Sequence, residues 1–152
     1  MKNELIYYPS MKLIVKDAQN SSTKQIKDIR ALLKDGIDLL IVSPNESQPL
    51  TDIVSEVYKK GIPVILIDRK IESEYYTAFL GGNNLEIGHE AGKYAVKLLN
   101  GKGRILEISG LERSSPAADR HKGFVQEISK FPGIKIVNSL PGKWETNVVK
   151  KY

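Results

Sequence analysis

Short apolar runs and helical periods alternate along the chain. Residues 37–42 and 62–67 are almost continuously apolar and rich in β-branched side chains, which predicts two buried strands. Because such runs are typical of strands covered on both faces, we expect residues 37–42 to form a central strand. Between the two runs, apolar positions recur at helical spacing: Leu50, Ile53, Val54 and Val57. Pro49 near the start and Gly61 just past the end bound the helix that they predict.

The same alternation extends in both directions. Further strands are predicted at residues 11–15, 77–80, 104–108 and 134–137. Further helices are predicted at residues 23–34, after the caps Asn83 or Asn84, from Ser115 onward, and over residues 146–152. The helix after Asn84 carries the apolar residues Ile87, Ala91, Tyr94, Ala95 and Leu98. Strands that alternate with helices predict an α/β fold of Rossmann-like parallel sheets with flanking helices. A helix end followed by a new strand near residues 99–103 divides the chain into residues 1–100 and 101–152.

Composition limits the function classes. The 152 residues are 41% hydrophobic and 27% charged, as in an ordinary soluble domain, and no apolar run approaches the roughly 20 residues of a membrane helix. The chain has no cysteine, which excludes disulfides and thiolate metal sites. The net charge of +5 comes from scattered lysines, which indicates a solvated surface rather than a nucleic-acid interface. Residues 1–8 lack the hydrophobic centre of a secretory signal, so either the protein is cytoplasmic or the sequence starts after a leader.

Polar residues follow the predicted strands, where open parallel sheets bind ligands. Asn45 comes shortly after residues 37–42, and Asp68 and Arg69 directly follow residues 62–67. A carboxylate beside a guanidinium can accept from one sugar hydroxyl and donate to its neighbour. A local salt bridge explains the same pair equally well, so position alone leaves both interpretations open.

These segments resemble a known superfamily. Residues 39–45, 62–69 and 82–88, together with Arg120 to Phe124 in an arginine-x-x-glycine-aromatic pattern, are similar to ribose-binding proteins and to the effector domain of the lactose repressor. The resemblance runs from residue 11 to about residue 149 and implies a type I periplasmic-binding-protein fold. Within it, the sequence is most similar to sugar-sensing domains of Bacteroides-type hybrid two-component histidine kinases. That resemblance implies a periplasmic domain whose membrane segment lies outside these residues.

The resemblance also implies a ligand site for a monosaccharide. Asp68 and Arg69 would bind sugar hydroxyls from the first lobe, Arg120 would reach in from the second, and Asn45 would line the cleft or hold a loop. The family's first strand and its stacking aromatic segment are missing here, as is everything after the second strand of the second lobe. We therefore expect a truncated fragment with little sugar affinity alone. The strand edge left open would favour association, including a homodimer.

Other chemistry has little support in the sequence. His89 and His121 have no metal-ligand spacing and are predicted to be surface histidines, so we expect no metal. Ser114 and Ser115 lack a nucleophile elbow, and Ser115 is predicted to cap a helix. Paired catalytic carboxylates are not identifiable either, so no catalytic residue, cofactor or enzyme activity is predicted. Trp144 could stack on a sugar, but packing against the last helix is the favoured interpretation.

Three functions share the predicted fold. The first is the sugar-sensing domain of a sensor histidine kinase in the inner membrane. The second is a solute-binding protein of a sugar ABC transporter, and the third is the effector domain of a LacI-type repressor, which would be cytoplasmic. None of them places nucleic acid on this segment.

Overall fold

The computed structural model describes residues 4–151, in which helices and strands alternate as the sequence predicts. The elements, in chain order, are a 3₁₀ helix (Glu4–Tyr7), α1 (Ser22–Lys34), β1 (Leu40–Val42), α2 (Ser47–Lys59), β2 (Val64–Ile67), β3 (Ala78–Leu80), α3 (Asn84–Leu98), β4 (Lys102–Ser109), α4 (Ser115–Ile128), β5 (Gly133–Pro141) and α5 (Thr146–Val149). The predicted α/β class is confirmed. The end of the predicted last helix, Tyr152, lies outside the described residues.

The first three strands form one parallel sheet in the order β1-β2-β3. Leu40 lies opposite Val64, and Ile65 lies opposite Ala78. Helix α2 makes the crossover from β1 to β2. Because all three strands run in one direction, their carboxyl ends share one edge of the sheet.

The core lies between this sheet and helices α1 and α2. Val54 and Val57 of α2 and Val64 and Leu66 of β2 are completely buried. The opposite face of the sheet is less covered, since Ile41 is 37% exposed. The prediction that residues 37–42 form a central strand covered on both faces is therefore wrong. Among residues 4–151, β1 pairs only with β2, so it is an edge strand of this sheet.

Residues 11–15, predicted as a strand, have no regular secondary structure. Met11 is 62% exposed and Val15 is 63% exposed. Their β-branched pattern suits a strand, but a strand also needs a partner backbone to satisfy its amide and carbonyl groups. The described part of the chain supplies none to these residues.

The second sheet pairs β4 with β5 in parallel, with a register shift between Ile105 and Leu106. Helices α3 and α4 pack tightly together beside it. Gly88 and Gly92 face α4, and a Cβ atom at Gly88 would overlap the carbonyl oxygen of Arg120.

The apolar residues of α3 do not make this contact. Tyr94 is 63% exposed and Leu98 is 65% exposed, because the glycine face of the helix makes the contact with α4. The predicted cap of α3 is confirmed: the side chain of Asn83 accepts a hydrogen bond from the amide of Glu86 at 3.2 Å. The predicted division of the chain after residue 100 stays a prediction, and the packing of α3 on α4 favours an earlier one.

Candidate functional site

Three of the four predicted ligand residues lie at the carboxyl edge of the first sheet. Asn45 follows β1, and Asp68 and Arg69 follow β2. The parallel order of the strands brings them together, since the guanidinium Nη1 of Arg69 donates to the carbonyl oxygen of Asn45 at 2.8 Å. The predicted clustering at one edge thus matches the geometry of these three residues.

Asp68 is the most exposed of these three residues. Its side chain is 61% exposed, and its φ of 64° places it in the left-handed region, where few residues other than glycine, asparagine and aspartate are found. Its amide donates to the carbonyl oxygen of Leu80 at 2.8 Å, which holds this conformation against the end of β3. Backbone strain of this kind is frequent at binding sites. The carboxylate therefore lies exposed at the rim of the sheet, in an ion pair with Arg69.

Arg69 is more constrained. Its side chain is 20% exposed, and its Nε lies 3.7 Å from the nearer carboxylate oxygen of Asp68. That distance is too long for a hydrogen bond, and Nε is buried without a partner among the described residues. A buried donor without an acceptor costs free energy, so this group would gain from a ligand oxygen at the site.

Asn45 holds a loop. It is 8% exposed, and its Nδ2 donates to the carbonyl oxygen of Asn20 at 3.2 Å and to the hydroxyl of Ser22 at 3.1 Å. Its backbone amide donates to the side-chain oxygen of Gln25 at 2.8 Å. These bonds favour the loop-holding role over direct sugar contact, although the position of Asn45 beside Arg69 is as predicted.

The elements form two units: α1, β1, α2, β2 and β3 make up the first, and α3, β4, α4 and β5 make up the second. Arg120 lies on α4, in the second unit. Its Nε donates to the side-chain oxygen of Asn84 at 2.9 Å, and its guanidinium carbon lies 5.7 Å from the ring centre of Trp144. The indole of Trp144 also lies against Gly110 at the end of β4, where any Cβ would overlap it. Trp144 therefore lies at the carboxyl end of the second sheet, and it is 49% exposed.

Direct contacts join the two units near these residues. The amide of Lys70 donates to the hydroxyl of Ser115 at 2.7 Å, and the amide of Ser47 donates to the carbonyl oxygen of Arg113 at 2.9 Å. The predicted capping role of Ser115 is wrong, because Ser114 is the N-cap residue and Ser115 binds Lys70 instead. The residue after Arg69 therefore touches the first turn of the helix that carries Arg120.

A cavity of about 470 Å³ opens between the units, within the usual size of small-molecule sites. Its walls include Lys70 and Phe79 from the first unit and Asn84, Ser115 and Asp119 from the second. None of the four predicted ligand residues lines it, although Lys70 follows Arg69 and Asp119 precedes Arg120 in the chain. A more open depression of about 420 Å³ runs along the outer side of α2, away from the strand ends.

Both histidines are paired with glutamates, which the sequence did not indicate. His89 Nδ1 lies 2.8 Å from Glu127, which also binds Lys130 at 2.7 Å. The hydrogen bond from Lys130 and then that from His89 lower the pKa of Glu127 below its ordinary value. His121 Nδ1 lies 2.8 Å from Glu107. Across residues 4–151 the structure contains no group of three or more metal-ligating side chains.

Sequence reasoning missed Asn84, Arg113 and Ser115 as parts of this region. Each is a common polar residue near the start of a helix, and only the packing of the two units brings them to the site. Over the same described residues, no helix has both the length and the apolar character needed to cross a membrane.

Comparisons with known proteins identify the family and the fold of the chain. The family model described as "Periplasmic binding protein domain" matches residues 6–152. The fructose-binding periplasmic domain of a hybrid two-component system superposes with a TM-score of 0.89 at 46% identity, covering 95% of this chain and 48% of that one. The galactofuranose-binding protein of Escherichia coli K12 is 35% identical over 135 residues, which are 86% of this chain and 42% of that protein. The ribose import binding protein of Bacillus subtilis 168 is 31% identical over 75% of this chain and 37% of its own length.

The chain therefore spans half or less of the length of these relatives. The family model covers nearly all of the chain, and the parallel sheets with their flanking helices have the architecture that the resemblance implied. The predicted family is confirmed: this chain belongs to the periplasmic-binding-protein domain family and has the type I periplasmic binding protein fold.

Proposed function

We propose that this chain forms part of a periplasmic sugar-sensing domain that signals to a histidine kinase. The observation that carries the proposal is the contact between the two units beside the predicted ligand residues. The amide of Lys70, which follows Asp68 and Arg69, donates to the hydroxyl of Ser115 in the first turn of α4, the helix that carries Arg120. Lys70 and Ser115 also line the cavity between the units, which supports a ligand site there.

The chemistry of the group suits a polyhydroxylated ligand. The exposed carboxylate of Asp68 can accept from two hydroxyls, while the guanidinium groups of Arg69 and Arg120 can only donate. Trp144 lies beside Arg120 and is 49% exposed, so its ring is available to stack on the carbon face of a sugar as well as to pack against α5. The relatives named above are described as binding fructose, galactofuranose and ribose, which supports a monosaccharide as the ligand.

The division into lobes follows from the packing of α3. Because α3 packs on α4, we place the boundary at residues 81–83, where β3 leads into α3, instead of after residue 100. Sugar binding would then close two bodies that turn about this crossover, and closure would be the signal.

A transport role is the second candidate. The relatives from Escherichia coli and Bacillus subtilis are described as sugar-binding proteins, and the latter as an import protein. The sequence of the whole gene separates the candidates: a membrane segment and kinase domain after this region support the sensor, and a lipid-attached or secreted protein supports transport. A helix-turn-helix before it would support the repressor.

The test is a monosaccharide binding screen on the product of the whole gene that carries this sequence. Thermal shift finds the ligand, and calorimetry then compares wild type with Asp68→Asn and Arg120→Ala. Asp68→Asn keeps the left-handed backbone favourable and the side chain nearly the same size, while it removes the charge and one acceptor oxygen, which makes it the cleaner variant. Loss of one charged hydrogen bond of about 1.5–3 kcal/mol predicts roughly 10- to 100-fold weaker binding.

The matched control is Asp52→Asn, which neutralises an exposed aspartate in α2 away from the strand ends. We expect it to bind sugar as the wild type does. Sugar affinity that is unchanged in both Asp68→Asn and Arg120→Ala would overturn the site, and the absence of stabilisation by any monosaccharide would overturn the function.

A further inference from the structure

Asn84 occupies an unusual place for a buried polar residue. It is the first residue of α3, directly after the crossover from β3, and is 7% exposed. Buried amides need partners, and Asn84 has two. Its Nδ2 donates to the carbonyl oxygen of Gly82 at 3.3 Å, and its Oδ1 accepts from Nε of Arg120 at 2.9 Å. Since the guanidinium can only donate, the acceptor must be the amide oxygen, which fixes the orientation of the amide.

Close helix packing makes this hydrogen bond reachable. One turn after Asn84, Gly88 lies so near α4 that a Cβ atom there would overlap the carbonyl oxygen of Arg120. In the reverse direction, a Cβ at Gly123 would overlap the carbonyl oxygen of Leu85. The two glycines therefore set the distance between the helices at the level where Asn84 meets Arg120.

The hydrogen bond to Asn84 leaves both terminal nitrogens of Arg120 available. Only Nε of Arg120 makes a hydrogen bond within residues 4–151, and neither terminal nitrogen is bound. The guanidinium carbon lies 5.7 Å from the ring centre of Trp144, so the indole covers one face of the guanidinium. The exposed side chain of Arg120 is thus held in one orientation, and its two terminal nitrogens remain available to donate.

We propose that Asn84 is a positioning residue that orients the guanidinium of Arg120 for the ligand. The inference rests on the proposed sugar site and adds a residue whose role is to orient Arg120. Holding Arg120 before binding removes much of the entropy cost of ordering it in the complex. Because the same amide binds Gly82 in the crossover between the units, Asn84 also links the geometry of the crossover to Arg120.

Two variants separate the acceptor from mere bulk. Asn84→Ala removes the acceptor, and Asn84→Asp keeps it while giving up the donor to Gly82. We expect Asn84→Ala to weaken sugar binding about tenfold, which is about 1.4 kcal/mol. Asn84→Asp should bind within about threefold of wild type, because a carboxylate accepts from Nε at least as well as an amide does. Affinities are measured by calorimetry on the product of the whole gene, using the sugar found in the monosaccharide screen.

A double-mutant cycle shows whether Asn84 acts through Arg120. If it does, Asn84→Ala has no further effect on affinity in an Arg120→Ala background. Full additivity of the two losses, or wild-type affinity in Asn84→Ala, would overturn the proposal. Circular dichroism checks folding, and if Asn84→Ala does not fold, Asn84→Ser takes its place in the cycle.

A second readout does not depend on sugar. In NMR spectra of the 152-residue chain, the Nε–H signal of Arg120 should exchange slowly with solvent in wild type and in Asn84→Asp, and rapidly in Asn84→Ala. Fast exchange in the wild type would refute the positioning role even if sugars bind. If this signal exchanges slowly but no monosaccharide binds in the screen, the proposed function fails while the hydrogen bond between Asn84 and Arg120 stands.

Discussion

Gly88→Ala should destabilise the protein even though alanine is the better helix former. The added Cβ would overlap the carbonyl oxygen of Arg120 and lie 2.9 Å from its carbonyl carbon and 3.0 Å from its Cα. All three atoms belong to the backbone of α4, so no side chain can turn away to make room. The two helices must separate instead.

The magnitude follows from two opposing terms. Overpacking of a tight contact costs about 1–3 kcal/mol, while replacing glycine by alanine within a helix gains about 0.8–1.0 kcal/mol. The net prediction is a loss of up to about 2 kcal/mol in the free energy of unfolding. The hydrogen bond between Asn84 and Arg120 should weaken as well, because it spans the same gap.

Urea unfolding followed by circular dichroism measures the effect. Glu90→Ala is the matched control, since Glu90 is exposed on the same helix and binds only Lys93 at 2.6 Å. We expect the control to change the free energy of unfolding by less than about 0.5 kcal/mol. A Gly88→Ala protein more stable than wild type would show that α3 and α4 are not in backbone contact.

Three further predictions follow from other contacts. The pKa of Glu127 is lowered by Lys130, so its ionised form stabilises the fold above its unfolded pKa of about 4.3, and this contribution is lost as the pH falls through the lower folded pKa. Glu127→Gln should therefore lose less stability than wild type between about pH 7 and about pH 3 in urea titrations; equal losses would contradict this. Arg113→Ala, which removes exposed contacts to the first unit, should weaken sugar binding roughly two- to fivefold in calorimetry with little change in stability, and unchanged affinity would show that these contacts do not favour the binding arrangement. Ile41→Lys should reduce any concentration-dependent association of the 152-residue chain in light scattering, because it places a charge on the open-edge strand, and unaltered association would exclude that edge.

The alternation of apolar runs was enough to predict the fold class and most elements. The strands at residues 62–67 and 77–80 appear in the structure as β2 and β3, because each finds a partner strand within the chain. Residues 11–15 have the same local pattern and form no strand. Local propensity does not show whether a partner is present, which is a tertiary property.

The packing face of α3 does not follow from hydropathy. Apolar side chains such as Tyr94 and Leu98 usually face the core of a protein. The helix instead packs through Gly88 and Gly92, which carry no side chain and give no hydropathy signal. A pair of glycines four residues apart was the only available indication of close helix contact.

The candidate site could be predicted only in part. Asp68 and Arg69 were identified because residues after parallel strands meet at one edge, which depends on chain order alone. The partners of Arg120 could not be predicted, since Asn84 is 36 positions away and reaches it only through the packing of α3 on α4. The resemblance supplied Arg120 itself, and the structure supplies what holds it.

The most direct test of the central claim is a crystal structure of the whole gene product with the monosaccharide that stabilises it most. The account predicts sugar hydroxyls within hydrogen-bond distance of Asp68 and of the terminal nitrogens of Arg120, with both units in contact with one ligand. A sugar bound elsewhere, or held by one unit alone with Asp68 and Arg120 facing solvent, would contradict it.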